Sequence, residues 1–227
     1  MPKFLLIETS TKNCSAALAE DNRIADAVDF APKNYSHAEK LHPCIDELLR
    51  RNRWSPSDLD AVAVGKGPGS YTGLRIGVAA AKGLCYALNI PLLSVGSLET
   101  LARGVHADEG FIVPMIDARR MEAYTAVFDS DYRPVREIKA EILDENSFKH
   151  WLNKSKVYFA GDAVDKARNV IRHPNAVFTS HLYPQARDML PLVNEKWKNK
   201  IFEDIAYFEP FYLKEFVARK KKNIFRT

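Results

Sequence analysis

The stretch Ser36-His37-Ala38-Glu39-Lys40-Leu41-His42-Pro43 places two histidines around an acid where the spacing is helical, a residue set that metal sites use. Successive helical residues turn by about 100°, so side chains four apart share a face and can converge on one ion. His37 and His42 are five apart, which puts them about 140° apart around the axis. Leu41 stands where the second imidazole of an HxxxH pair would be, and His106, His150, His173 and His181 are scattered. The expectation is no metal.

A second candidate is Gly65 to Gly77, "GKGPGSYTGLRIG". Its glycines precede a helix, so the amides around Gly67, Gly69 and Ser70 could cradle an anion at the helix N-terminus. Lys66 comes before the glycines, no GK[ST] follows, and Thr72 stands where a GxGxxG would need its third glycine. An anion cradle and a tight strand-to-helix turn both account for the stretch. Glu8, followed by Thr9 and Ser10, is an acid at a strand end with no identifiable second carboxylate. Asp117 with Arg119 and Arg120 reads as a charged turn. No GxSxG elbow occurs.

The elements that must position these residues begin with three short strands, "KFLLIET", "CSAALAE" and "RIADAVDF". Ser36 and Glu39 form a capping-box pattern ahead of a stripe of Leu41, Ile45, Leu48 and Leu49, with Pro43 expected to disturb the first turn or to delay the helix start. Ser55-Pro56 opens a short helix, and "DAVAVGKG" is a strand leading to a helix from about Thr72 to Leu88. There Gly73, Gly77 and Ala81 recur every four residues, beside Ala80, Ile76, Leu84 and Leu88. These two helices carry more small and apolar surface than one core needs, so a partner-helix interface is weighed against ordinary packing on the sheet. Four strands follow between residues 92 and 142 with one helix among them, then a strand–turn–helix at 157–171 and a last helix from about Pro184 to Lys200. Helices alternating with strands after a hairpin-led opening make an α/β protein.

The 227 residues carry a net charge of +4, 46% hydrophobic and 27% charged residues, the balance of a globular protein with a sizeable core. From Lys214 onward six basic residues face one acid, leaving 27 basic and 28 acidic residues for the rest. The tail is either a solvated end or a contact for RNA phosphates. No apolar run reaches a membrane-spanning length, and the N-terminus runs straight into a strand with no leader layout. Cys14, Cys44 and Cys85 form no CxxC pair, fit a reducing cytoplasm and are expected as small buried hydrophobes.

"FLLIETSTKNCSAAL", "GKGPGSYTGLRIG", "AKGL", "MIDARRMEAYTAVF" and "EPFYLKEF" together resemble the TsaB (YeaZ) family, whose members are small bacterial paralogues of TsaD. The resemblance runs through most of the chain but is thin over residues 143–200, and Ile7-Glu8-Thr9 stands where the family commonly has Ile-Asp-Thr. It implies an actin-like ATPase fold (ASKHA, RNase H-like) with a reduced second lobe. The lobes would be residues 1–100, with 184–214 packing back on them, and residues 101–183, leaving 215–227 as a basic tail. It implies a cytoplasmic, non-catalytic partner of TsaD, acting with TsaE. Together they form the threonylcarbamoyl group on the adenosine next to the anticodon of tRNAs that read codons beginning with adenine. A stand-alone actin-like ATPase or peptidase is the alternative. The resemblance further implies an interface at Leu41, Ile45, Leu48, Leu49, Gly73, Arg75, Ile76, Gly77, Ala80 and Leu84, serving TsaD or a homodimer when the chain is alone. Nucleotide phosphate would lie near Glu8, Thr9, Gly67, Gly69 and Ser70, with ATP or ADP at the junction with TsaD.

Overall fold

A computed structural model describes residues 1–31 and 37–214. The Ser36 cap and the basic tail from 215 lie outside the described residues.

Strand β1 (Lys3–Glu8) is the centre of the first sheet, and Phe4, Leu5, Leu6 and Ile7 are all fully buried. A strand covered on both faces needs such an unbroken apolar run. β2 (Cys14–Glu20) runs antiparallel to β1 with Leu5 opposite Leu18, and β3 (Arg23–Phe30) continues the hairpin. β4 (Ala61–Gly67) joins the other side of β1 in parallel, with Leu6 opposite Ala63, and β5 (Leu92–Gly96) follows it. The order is β3-β2-β1-β4-β5.

Alternate side chains feed two cores. Leu5, Ile7, Leu18, Val62 and Val64 meet helices α1 (His37–Arg51) and α2 (Tyr71–Leu88). Phe4, Leu6, Ala17, Ala63 and Val95 meet a short 3-10 helix (Ala186–Met189) and the helix that follows it. Pro43 does not delay α1, which starts at His37. Pro43 lacks the N–H that would reach the Glu39 carbonyl, but both residues are exposed, so water can satisfy that group. Ser70 caps α2 by accepting from the Gly73 amide at 3.2 Å, and left-handed Asn89 closes the other end.

Helix α3 (Ser97–Arg103) crosses to the second sheet, burying Leu98 and Leu101 against Ile112, Ile116 and Ala160. That sheet holds β6 (Phe111–Asp117), β7 (Glu122–Asp129), β8 (Pro134–Ile142), β9 (Val157–Ala160) and β10 (Ala176–Phe178) in the order β10-β9-β6-β7-β8. Helices α4 (Lys149–Leu152) and α5 (Val164–Val170) cover it, and Phe159 packs between Phe148 and Phe178. The short α4 and β10 have no clear sequence pattern. The last helix, α6, is Leu190–Lys198 rather than starting at Pro184. The Ala186 amide is drawn instead onto Ser15 Oγ at 2.7 Å, holding the approach extended and then 3-10.

Residues 201–214 return along the first lobe as a strap. Glu203 bridges Leu92, Lys82 Nζ donates to the carbonyls of Ala206 and Phe208, and the Phe211 amide donates to the Lys66 carbonyl at 2.7 Å. Tyr212 packs on Tyr71, and Lys214 pairs with Glu122 of the second sheet.

Candidate functional site

The ends of β1 and β4 and the start of α2 close on one another. Glu8 is fully buried, its Oε1 accepting from the Ser10 amide at 2.7 Å and its Oε2 from Ser97 Oγ at 2.9 Å. Burial holds its carboxyl above the ordinary range, and the bonds from Ser10 and Ser97 pull the other way. Ser97 Oγ also accepts from the Gly67 amide at 3.3 Å, and the Ser70 amide donates to the Ser10 carbonyl at 2.6 Å. Gly67 has φ +107°, a backbone that residues with a Cβ rarely adopt. Glu8, Thr9, Gly67, Gly69 and Ser70 therefore do gather at one place. Two of the loop's amides are engaged within the chain, that of Gly67 by Ser97 Oγ and that of Ser70 by the Ser10 carbonyl.

His37 belongs to the same knot. Its ring Nε2 donates to the Thr11 carbonyl at 2.8 Å, bolting α1 to the loop after β1. Burial lowers its pKa, and the Thr11 bond partly opposes this. Among the described residues no three His, Cys, Asp or Glu side chains come together as metal ligands.

The expected interface residues divide. Leu41, Ile45, Leu48 and Leu49 are buried under α1 against the chain's own sheet, so they cannot meet a partner directly. The small stripe of α2 also faces inward. A Cβ at Gly73 would lie 2.1 Å from the Thr9 carbonyl, and one at Gly77 2.3 Å from Thr9 Oγ1. The close approach these glycines permit is to β1's own end, and Ala80 is buried as well. Ile76 and Leu84 are half-buried, while Arg75 is exposed and donates from Nη1 to the Tyr71 hydroxyl at 2.6 Å. What faces outward on α2 is a different stripe: Thr72, Arg75, Ala79, Gly83 and Tyr86, the last 83% exposed. A Cβ at Gly83 would meet nothing within 4 Å. Beside this stripe, α2 and the strap enclose a groove of about 540 Å³ lined by Tyr71, Arg75, Val78, Ala79, Glu209 and Tyr212, among others.

At the mouth between the lobes, the Asp117 amide donates to Asp162 Oδ1 at 2.8 Å, and Lys166 Nζ reaches Asp117 Oδ1 at 2.5 Å. Asp162 is pushed up to about 6, chiefly by burial and also by the charge of Asp117, against the Asp117 amide, Lys12 and Lys166. Nothing in the local sequence marks the burial of Asp162 against Asp117.

A hairpin-led mixed sheet, a helix carrying the chain across to a second, smaller mixed sheet, and a glycine loop opening α2 define the actin-like ATPase class of fold. Within that class, a family model described as TsaD, tRNA N6-adenosine threonylcarbamoyltransferase, matches residues 31–222, and the chain belongs to that family. It is 29% identical over 231 residues to the tRNA threonylcarbamoyladenosine biosynthesis protein TsaB of Escherichia coli, covering 96% of this chain and 97% of the relative. Against the TsaB of Bacillus subtilis it is 43% identical over 126 residues, 55% of this chain and 54% of the relative. The crystal structure of YeaZ from Pseudomonas aeruginosa superposes with a TM-score of 0.82 at 28% identity, covering 94% of this chain and all of that one. No helix among the described residues is long and apolar enough to cross a membrane.

Proposed function

We propose that this chain acts in tRNA threonylcarbamoyladenosine biosynthesis as a docking subunit for a TsaD-type transferase, together with TsaE, and meets tRNA through that complex. The relatives named for this pathway support the reading. So does the site: Leu41 replaces a would-be ligand, His37 is committed to Thr11, and Glu8 is locked between Ser10 and Ser97. The observation that carries it is the outward stripe of α2, where Ala79 and Gly83 leave room for another helix between Arg75 and the exposed Tyr86. The same face would pair two copies when the partner is absent. Any ATP or ADP belongs at the junction with the transferase, since the amides of Gly67 and Ser70 are taken.

The test is tRNA modification in vitro with the same organism's TsaD and TsaE, each protein omitted in turn. Modification that proceeds fully without this chain contradicts the proposal. ATP hydrolysis by the isolated chain, lost in Glu8→Gln, would favour the stand-alone enzyme instead.

A further inference from the structure

The turn between β6 and β7 holds Arg119 and Arg120 with φ +72° and +52°, left-handed backbone that side-chain-bearing residues avoid. Its base is fixed. The Glu122 amide donates to the Arg119 carbonyl at 3.1 Å, the Ala118 amide to the Glu122 carbonyl at 3.1 Å, and Asp117 Oδ1 accepts from the Arg119 amide at 2.5 Å. The acids nearby are taken by lysines, Asp117 by Lys166 and Glu122 by Lys214. Among the described residues neither guanidinium has an ion-pair, hydrogen-bond or ring partner, and both arginines are exposed. Elsewhere Arg51, Arg136 and Arg187 are each tied to a carboxylate.

Other cations share this place. Lys214, paired with Glu122, brings one more cation to the base of this hairpin. Asp162 holds the Asp117 amide beneath the turn. After Lys214 the sequence supplies Arg219, Lys220, Lys221, Lys222 and Arg226 against the single acid Glu215. The basic run of the chain thus begins, in sequence, five residues beyond a lysine anchored to this hairpin.

We propose that the Arg119–Arg120 turn is a phosphate-binding tip at the mouth between the lobes, presenting two guanidinium forks to a phosphate-bearing ligand. A guanidinium fork matches phosphate geometry, and the fixed turn backbone presents two of them side by side. The phosphate could come from an RNA backbone or from a nucleotide. An exposed tip without an enclosing pocket suits the repeating phosphates of RNA. This goes beyond the docking reading and does not depend on it.

The experiment uses the full chain alone, with fluorescently labelled tRNA in one arm and labelled ATP in the other, titrated at several salt concentrations. The variant is Arg119→Asn with Arg120→Gly, because Asn and Gly tolerate left-handed backbone and keep the turn while removing both charges. The proposal expects tRNA affinity to fall about tenfold or more and the log–log salt slope to shrink by about two, with an unchanged or higher melting temperature. A fall confined to ATP keeps the phosphate site and moves its source to a nucleotide. If the variant binds both probes like the wild type, if the wild type binds neither, or if only removal of 215–227 weakens binding, the proposal is overturned.

Discussion

Thr9 Oγ1 donates to the Gly73 carbonyl at 2.8 Å and lies 2.3 Å from where a Cβ on Gly77 would sit, so the end of β1 is seated directly on the first two turns of α2. The small-residue stripe of this helix is therefore an internal fitting. Gly77→Ala forces Thr9 or the helix to move and should destabilise the chain by about 1–3 kcal/mol, the usual range for overpacking. Urea denaturation measures it, and an unchanged midpoint would show that β1 and α2 are not packed this way.

Gly83 makes the opposite prediction. It sits on the same helix with open space around it, so Gly83→Ala removes only the conformational freedom of glycine. A gain of about 0.5–1 kcal/mol is expected in the same assay. A loss would mean that this position is packed.

Glu8 gives a pH signature. Burial raises its pKa above the ordinary 4.5, so the folded chain holds this proton more tightly than the unfolded one. Its contribution is complete below 4.5 and is lost as pH rises through the folded value. Glu8→Gln cannot ionise, so its stability relative to the wild type should grow with pH above 4.5 and then level off. A difference that stays flat between acid and neutral pH would contradict the buried-carboxyl picture.

His37 runs the other way. Its pKa is lowered from 6.5 by burial, so the unfolded chain takes the proton first. Stability from this residue is lost as pH falls below 6.5. His37→Gln should remove that acid-side loss, and breaking the bond to the Thr11 carbonyl should cost about 1–3 kcal/mol at neutral pH. Denaturation curves of the two proteins between pH 5 and 8 separate these effects.

Much of the fold is legible in the sequence because its signals are local. The apolar run Phe4–Ile7 announces a strand, the stretch from about Thr72 to Leu88 announces α2 within a residue of its start, and Leu41, Ile45, Leu48 and Leu49 announce one apolar face. The destination of a face is not local. An amphipathic stripe looks the same whether it meets its own sheet or another protein, and here the leucines of α1 and the glycines of α2 go to β1, β2 and Thr9. The same holds for the site. His37 meets Thr11, 26 residues earlier, and Glu8 meets Ser97, 89 residues later. Only the folded chain turns a candidate metal ligand into a bolt and a candidate phosphate loop into a clasp.

The most direct measurement of the docking proposal is co-purification of Gly83→Glu with the same organism's TsaD. The substitution puts a charge on the outward stripe of α2, at a position with nothing within 4 Å, so the fold itself is left intact. The variant should melt at or above the wild type, because losing the glycine favours the helix, yet lose about tenfold or more in affinity for the transferase, the scale on which a charge disrupts the core of a helix interface, and lose modification with it. Wild-type binding and full modification by a normally folded variant would contradict docking through this face.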